Sequence, residues 1–246
     1  MKLFLDTANL KDIEEALVGG FIRGVTTNPS LLAKEPKGNY VAHMKKIASL
    51  CKKAGGKVSL SVEVFSNDSD EMIKQAREFV TKIAYKNLAI KIPISYKGTN
   101  NLRVVRELSK RGITVNCTAC MTPMQLMSAA ASGAKYVSLF YNRLRDSEKE
   151  EKFSKERKEL LDKKAIEPKD FDPNNVLRET RALLVDYPET EIIVGSIRNV
   201  LDVKEAGLAG GHIVTTSLKI IKEAVGHYKT DDSIDGFLKD FSAWIS

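Results

Sequence analysis

Strand-like and helix-like segments alternate along almost the whole of this 246-residue chain. Eight short runs of β-branched and other apolar residues are each followed by helical periodicity or by helix-capping residues. We expect strands at residues 3–7, 24–28, 58–64, 87–93, 113–118, 136–140, 191–196 and 212–216. Eight β/α units in about 250 residues are typical of a closed (β/α)8 TIM barrel, an α/β fold.

An open doubly wound sheet is the alternative for alternating strands and helices. Such sheets typically carry a glycine-rich phosphate-binding turn after the first strand. Here the first strand leads into Asp6-Thr7-Ala8-Asn9, and the chain has neither a GxGxxG nor a Walker sequence. The barrel is therefore the preferred fold.

The composition predicts one barrel domain over residues 1–246, with two additions. Seven prolines and no Pro-rich or Gly/Ser-rich tract leave no obvious linker. Residues 144–174 are rich in Lys, Glu and Asp, so we expect an exposed helical excursion there. An additional C-terminal helix at about 233–244 carries Phe237, Phe241 and Trp244 at helical spacing. Packing of this helix on its own barrel is the favoured interpretation, and docking on a neighbouring subunit is the alternative.

The net charge of +7 fits either nucleic acid or small phosphorylated anions as partners. Acidic residues are interleaved with the basic ones, and no Arg/Lys run alternates with aromatic residues. We therefore expect phosphorylated small molecules and no nucleic acid. No apolar run is long enough for a signal peptide or a membrane span, which predicts a cytoplasmic protein with no membrane partner.

Cysteine and histidine usage predicts neither a disulfide nor a metal site. Cys117 and Cys120 have CxxC spacing, but Cys51 is the only other cysteine, so no second pair completes a zinc site. We interpret all three as reduced core thiols. The three histidines lie in separate elements, and no metal or other cofactor is expected.

One predicted strand carries a basic residue within an apolar run. In NLAIKIP, residues 87–93, Lys91 lies between Ile90 and Ile92. A lysine is rarely buried unless it has a partner or a task. A head group that reaches solvent, or a structural ion pair, is the alternative interpretation.

Most other predicted strands also end in polar side chains. The carboxyl ends of parallel barrel strands meet at one mouth, where active sites lie. Because side chains alternate along a strand, Asn116 and Thr118 share one face, as do Ser196 and Arg198. The polar residues expected at this mouth are Asp6, Thr26, Asn28, Glu63, Lys91, Asn116, Thr118, Ser138, Ser196 and Arg198.

A lysine among such residues indicates amine chemistry. Burial disfavours the charged form, so a neutral amine becomes available to form a Schiff base with a ketone. Carbon–carbon cleavage then needs a base and an acid, and Asp6 and Glu63 supply two carboxyl groups. Arg143 and Arg198 follow the sixth and seventh strands, where barrels often bind phosphate.

Six segments resemble the transaldolase family, and together they span most of the chain except residues 144–174. The combination of TTNP after the second strand with a lysine in IKIP is specific. The segments are FLDTAN at 4–9, GVTTNPS at 24–30, IKIP at 90–93, NCT at 116–118, SLF at 138–140 and SIR at 196–198. The resemblance implies an enzyme of the pentose phosphate pathway. It would transfer a dihydroxyacetone unit from sedoheptulose 7-phosphate or fructose 6-phosphate to an aldose phosphate.

The resemblance also implies a role for each matching residue. Lys91 would form the Schiff base, and Asp6 would take the proton of the C4 hydroxyl. Glu63 and Thr118 would hold and activate the water of imine formation and hydrolysis. The implied substrate-binding residues are Asn28, Asn116 and Ser138 for the dihydroxyacetone part, Phe140 in the same site, and Arg143, Ser196 and Arg198 for the phosphate.

The family divides into transaldolases and fructose 6-phosphate aldolases, and three residues favour the first branch. Glu63 stands where the aldolases carry glutamine, Phe140 stands where they carry a proton-donating tyrosine, and Arg198 also fits transaldolases. An aldolase that releases free dihydroxyacetone is the alternative. A barrel that binds phosphosugars without catalysis is a further alternative.

The segment after Ser138 departs from the family pattern. The family usually reads Pro-Phe-Val-Gly-Arg, whereas residues 139–143 read Leu-Phe-Tyr-Asn-Arg. We expect an altered loop around Arg143, and Tyr141 becomes a candidate to reach the site. Short family members assemble through a C-terminal helix, often as decamers, so the resemblance also implies a homo-oligomer.

Overall fold

The fold is seen in a computed structural model that describes residues 1–245. Its strands are β1 Lys2–Asp6, β2 Ile22–Thr26, β3 Ser59–Glu63, β4 Leu88–Pro93, β5 Ser95–Tyr96, β6 Thr99–Asn100, β7 Thr114–Cys120, β8 Tyr136–Phe140, β9 Glu191–Gly195 and β10 Ile213–Thr216. All but β5 and β6 form a closed parallel barrel, in which β10 pairs back to β1. The predicted (β/α)8 barrel is confirmed.

The helices cover the outside of the barrel and extend beyond it. They are α1 Leu10–Val18, α2 Pro29–Leu32, α3 Tyr40–Lys53, α4 Ser69–Ile83, α5 Leu102–Lys110, α6 Pro123–Ala131, α7 Tyr141–Ser147, α8 Ser154–Asp162, α9 Pro173–Leu183, α10 Val200–Leu208, α11 Leu218–Val225 and α12 Tyr228–Ile245. Short polar residues start many of them: Asn9, for example, accepts hydrogen bonds from the backbone N–H groups of Lys11 and Asp12. Among the described residues no helix is long and apolar enough to cross a bilayer.

Two small elements near the barrel mouth were not predicted. The first is α2, a single turn after β2 that is capped by Asn28. The second is the β5–β6 hairpin after β4, whose turn residues Lys97 and Gly98 have φ angles of 45° and 82°. A two-residue hairpin turn needs such positive φ values, which Asn, Asp or Gly usually supply at the first position. Lysine is found there in this chain, so the sequence did not indicate a hairpin.

The buried apolar residues form two separate clusters. Most buried apolar residues, including Leu5, Leu60 and Ile90, belong to one core that also contains the inner faces of the helices. Phe4, Ile193 and Ile213 form a second cluster with Tyr136 packed against it, and we call these four residues the plug. Gly24 makes room for the plug, since a Cβ atom there would lie 2.4 Å from the Phe4 ring. The plug fills the lumen and separates the two mouths of the barrel.

The regions outside the barrel follow the sequence in part. Residues 144–174 contain part of α7, all of α8 and two short 3₁₀ turns, Glu151–Phe153 and Pro168–Phe171, with mostly exposed side chains. The C-terminal helix begins earlier than expected, at Tyr228, and none of its residues is buried. Phe237 and Trp244 are 66% and 81% exposed, so the expectation that this helix packs on its own barrel is wrong. An amphipathic pattern shows which face is apolar but not which surface covers it.

The cysteines agree with the prediction. All three are buried and none forms a disulfide. Burial raises the pKa of the Cys51 thiol to about 12, so this thiol is inert at neutral pH.

Candidate active site

A cavity of about 310 Å³ opens at the mouth formed by the carboxyl ends of the strands. Of the residues predicted to meet here, those that line it are Asp6, Thr26, Asn28, Glu63, Lys91, Asn116, Thr118, Ser138, Phe140, Arg143 and Ser196. Arg198 is the one predicted site residue that does not. Thr215, Ala119 and Ser30 line the cavity without having been predicted.

Lys91 lies in the wall of this cavity and is only 6% exposed. Its Nζ donates hydrogen bonds of 2.8 Å to Glu63 Oε2 and of 2.8 Å to the Thr27 carbonyl oxygen. Strand register explains the pairing with the carboxylate, since Glu63 of β3 is directly beside Lys91 of β4. Lys91 is therefore buried together with an ion-pair partner, Glu63, which the expectation based on burial alone did not include. An ammonium has three N–H donors, and the third finds no partner within residues 1–245.

Asp6 faces the same cavity from the end of β1. Its Oδ1 accepts a 2.7 Å hydrogen bond from Thr26 Oγ1, which also contacts Thr215 Oγ1 at 2.6 Å. Burial raises the pKa of Asp6 above its ordinary 3.8, while the Thr26 hydrogen bond and the Lys91 and Arg143 charges act in the opposite direction. The result is a carboxylate more basic than usual, in electrostatic contact with Lys91.

A chain of amide and hydroxyl groups crosses the floor of the cavity. Ser138 Oγ donates to Asn116 Oδ1 at 2.6 Å, and Asn116 Nδ2 donates to Ser61 Oγ at 3.2 Å. Asn116 is also the register neighbour of Lys91 on the other side from Glu63. These bonds fix the orientation of the Asn116 amide, so that it is held ready to bind a polar group.

Thr118 presents a different situation, because its Oγ1 is buried and has no hydrogen-bond partner within the described residues. Buried hydroxyl groups are nearly always paired with protein or water. A polar atom left unpaired at the wall of a polar cavity marks a position for a bound water or ligand atom.

The two arginines after β8 and β9 are held differently. The guanidinium of Arg143 lies 4.9 Å from the centre of the Phe140 ring at the cavity edge. Arg198 makes a two-pronged ion pair with Asp146 on α7, which raises the pKa of Arg198 and lowers that of Asp146. Only Arg143 is therefore available at the cavity without breaking an existing contact.

The unusual residues after β8 connect this strand's end to the segment that follows β9. Asn142 is buried, and its Nδ2 donates to the Ser196 carbonyl at 2.8 Å and to Asp202 Oδ2 at 2.7 Å. Tyr141 is fully buried and donates to Asn174 at 2.8 Å, away from the cavity, so the expectation that it reaches the site is wrong. Arg143 lies on helix α7 rather than on the altered loop expected there, and one amide side chain joins this helix to the loop that carries Ser196.

Backbone strain also concentrates at this mouth. Ala119 and Ser196 line the cavity with φ angles of 60° and 62°. Such left-handed conformations are unfavourable for residues other than glycine and are often found at functional sites. The Asn142 bond to the Ser196 carbonyl shows what holds one of them in place.

The sequence profile of the family described as Transaldolase/Fructose-6-phosphate aldolase matches residues 3–244. The chain belongs to this family. Among curated relatives named probable transaldolase, that of Thermodesulfovibrio yellowstonii is 39% identical over 242 residues, with 98% of both chains covered. That of Syntrophobacter fumaroxidans is 36% identical over 245 residues, with 98% of this chain and 96% of the relative covered. The transaldolase/aldolase family resemblance predicted from the motifs is confirmed.

Membership of the transaldolase/aldolase family makes the chain an enzyme of the transaldolase type. A solved structure, thiamine phosphate pyrophosphorylase from Pyrococcus furiosus, is also similar. It is 13% identical, has a TM-score of 0.52 and covers 92% of this chain and 97% of its own. At that identity the likeness supports the barrel fold alone.

Proposed function

We propose that this protein is a transaldolase that transfers a dihydroxyacetone unit from a ketose phosphate to an aldose phosphate through a Schiff base on Lys91. One observation carries the proposal. A lysine that is 6% exposed shares one small cavity with two carboxylates, Asp6 and Glu63, which come from different strands. The donors we propose are sedoheptulose 7-phosphate and fructose 6-phosphate, and the proposed role is in the pentose phosphate pathway.

Imine formation starts from the Lys91–Glu63 ion pair. At 2.8 Å, Glu63 accepts a proton from the ammonium and frees the amine to attack the C2 carbonyl carbon of the ketose. Glu63 then returns this proton to the carbinolamine hydroxyl, which leaves as water as the iminium forms. The unpaired hydroxyl of Thr118 supports a place for that water in the wall of the cavity.

Bond cleavage uses the second carboxylate. Asp6 takes the proton of the C4 hydroxyl, the C3–C4 bond breaks, and its electron pair moves into the iminium to give an enamine. The aldehyde product leaves, and an incoming aldose phosphate reverses these steps. Burial raises the pKa of Asp6, which makes its ionised form a better base for this hydroxyl proton.

Substrate binding is proposed for the remaining polar residues. Asn28, Asn116 and Ser138 hold the dihydroxyacetone part, with Asn116 fixed by its two hydrogen bonds. Arg143 and Ser196 bind the phosphate. The predicted phosphate contact of Arg198 stays a prediction, because binding through its guanidinium requires that the pair with Asp146 opens.

Borohydride trapping tests the proposal. Reduction in the presence of fructose 6-phosphate should fix a three-carbon adduct on Lys91, and Lys91→Ala should abolish it. A barrel that only binds phosphosugars would give no adduct. Assay of sedoheptulose 7-phosphate with glyceraldehyde 3-phosphate then measures the transfer itself.

The aldolase alternative rests on the fate of the enamine. Phe140 lines the cavity and offers no proton, so the enamine should survive until an acceptor arrives. Product analysis separates the two activities. Release of free dihydroxyacetone from fructose 6-phosphate without an acceptor would assign the protein to the aldolase branch.

We also propose a homo-oligomer, with α12 as the contact element. Large apolar side chains on this helix, Phe237, Leu238, Phe241 and Trp244, are each at least 58% exposed. A patch of this kind on one helix needs a covering surface. Light scattering on the full chain, compared with a chain that ends at residue 227, tests this: a monomeric full-length protein would overturn it.

A further inference from the structure

The opposite mouth of the barrel, at the amino ends of the strands, contains a larger cavity of about 540 Å³. Half of the ten residues that line it are basic and none is acidic. The basic residues are Lys2, Arg23, Lys57, Lys86 and Lys135. Each is at, or within two residues of, the start of a different barrel strand, so barrel closure gathers them into one ring.

Local carboxylates neutralise only part of this ring. Lys2 pairs with Glu191 at 2.6 Å, and Lys135 pairs with Glu189 at 3.5 Å. Arg23 donates to a backbone carbonyl, that of Gly20, at 2.7 Å. Lys57 and Lys86 have no hydrogen-bond or ion-pair partner within residues 1–245.

The floor of the cavity adds hydrogen-bonding groups that are also unused. The hydroxyls of Ser59, Thr114 and Tyr136 line it, and none of them has a hydrogen-bond partner in the described part of the chain. Beneath them the plug closes the lumen, because Phe4 and Tyr136 face this cavity while Ile193 faces the cavity that holds Lys91. A ligand here is therefore out of reach of Lys91.

We propose that this mouth is a binding site for a small molecule that carries two or more phosphate groups. A volume of about 540 Å³ suits a small ligand rather than a macromolecular surface. Cations contributed by several strands favour a ligand with more than one anionic centre, since one tetrahedral phosphate contacts few of them at once. Unpaired cations with nearby hydroxyl donors are the usual partners of phosphate oxygens.

The test is calorimetric titration of the full-length protein with inorganic pyrophosphate at a fixed ionic strength of about 0.15 M. Lys57→Gln combined with Lys86→Gln removes two unpartnered cations from the ring. The matched control, Lys155→Gln combined with Lys158→Gln, removes the same charge from exposed positions on α8. Arg143→Gln is titrated in parallel to separate binding at the opposite mouth.

We expect saturable binding of pyrophosphate to wild type. The Lys57→Gln/Lys86→Gln variant should raise the Kd at least ~10-fold, and the Kd of the control variant and of Arg143→Gln should stay within about twofold of wild type. Three results would overturn the proposal. They are no saturable binding to wild type, an equal loss in the control pair, and a loss only in Arg143→Gln. Thermal unfolding confirms that each variant is folded, and since catalysis is not measured, failure here leaves the proposed transferase untouched.

Discussion

The two mouths of this barrel both collect positive charge, but they hold it in different ways. At the carboxyl mouth Lys91 is buried, bonded to Glu63 at 2.8 Å, and close enough to Asp6 to influence its pKa. At the amino mouth Lys57 and Lys86 are exposed and unpaired in the described chain. Charges that are removed from water and fixed among partners can change protonation and reactivity, whereas solvated charges attract ligands without altering chemistry.

The contrast arises from which residues occupy the strand ends. At the carboxyl ends, short side chains lie within the strands and bond to polar side chains of other strands: Thr26 donates to Asp6, and Ser138 donates to Asn116. At the amino ends, most of the cations lie just before a strand or at its first residue, where the chain is entering from solvent. The plug keeps these two environments apart. Five predictions test how far the contrast extends.

The largest effect is expected for Lys91→Met. This change keeps the apolar stem and removes the proposed nucleophile, so kcat should fall by about 10⁴-fold or more. Steady-state transfer kinetics measure the loss, together with borohydride trapping. Because Glu63 loses its partner, Lys91→Met/Glu63→Gln serves as the folding control. Retention of activity within tenfold of wild type would remove the distinction between the two mouths.

Asp6→Asn should lower kcat by about 10²- to 10⁴-fold, because the amide cannot accept the C4 hydroxyl proton. The pH dependence is equally informative. The pKa of Asp6 is raised, so activity of wild type should fall as the pH drops through that raised value, and this acid limb should vanish in the variant.

Stability should respond to the same group with a defined sign. The folded state binds the Asp6 proton more tightly than the unfolded state, so this group's contribution is greatest below pH 3.8 and is lost as the pH rises through the folded pKa. Denaturant unfolding across this window should show a shallower decline with pH for Asp6→Asn than for wild type. Equal slopes would mean that burial does not perturb this carboxyl.

The fourth prediction compares the two arginines at the carboxyl mouth. Arg143→Gln should raise the KM for phosphorylated substrates by about 10- to 100-fold, whereas Arg198→Gln should raise it less than about fivefold. The difference follows from the ion pair that occupies Arg198. Asp146→Asn releases that guanidinium, so the effect of Arg198→Gln should grow in this background, which a double-mutant cycle measures. An unchanged coupling would show that Asp146 does not restrain Arg198.

The smallest effect is expected at the amino mouth. Lys57→Gln/Lys86→Gln should leave kcat/KM within about twofold of wild type, because neither side chain lines the cavity that holds Lys91. The fold should also be unaffected, since substitutions of exposed residues rarely change stability by more than about 0.5 kcal/mol. Assays without polyphosphate present make the comparison. A large loss of activity would mean that the plug transmits changes between the two mouths.

Sequence reasoning recovered the barrel because its evidence is local. Each strand is a short apolar run with its own turn signals, and the carboxyl-end position of Lys91, Glu63 and Asn116 follows from one rule about parallel barrels. What it could not supply were contacts between segments far apart in the chain. The Asn142–Asp202 bond and the Thr26–Thr215 pair have no periodicity or motif to indicate them.

Two errors have the same origin. Tyr141 was expected near the substrate. It is the first residue of α7, and its side chain points away from the cavity, where it contacts Asn174 and Arg145. The helix with Trp244 was expected on its own barrel because its apolar stripe was visible and its covering surface was not. Amphipathic patterns report that a face must be covered, whereas the identity of the covering surface is tertiary information.

The pairing of the first strand with the last has a consequence for how this chain is made. Lys2 is hydrogen-bonded into register with Ile213, so the N-terminal strand keeps one open edge until more than two hundred residues have left the ribosome. The hydroxyl pair beside Asp6 is assembled from both sides of that seam, because Thr26 belongs to β2 and Thr215 to β10. The hydrogen-bonded surroundings of Asp6 are therefore complete only when the last barrel strand has closed against the first, a contact between residues far apart in the chain.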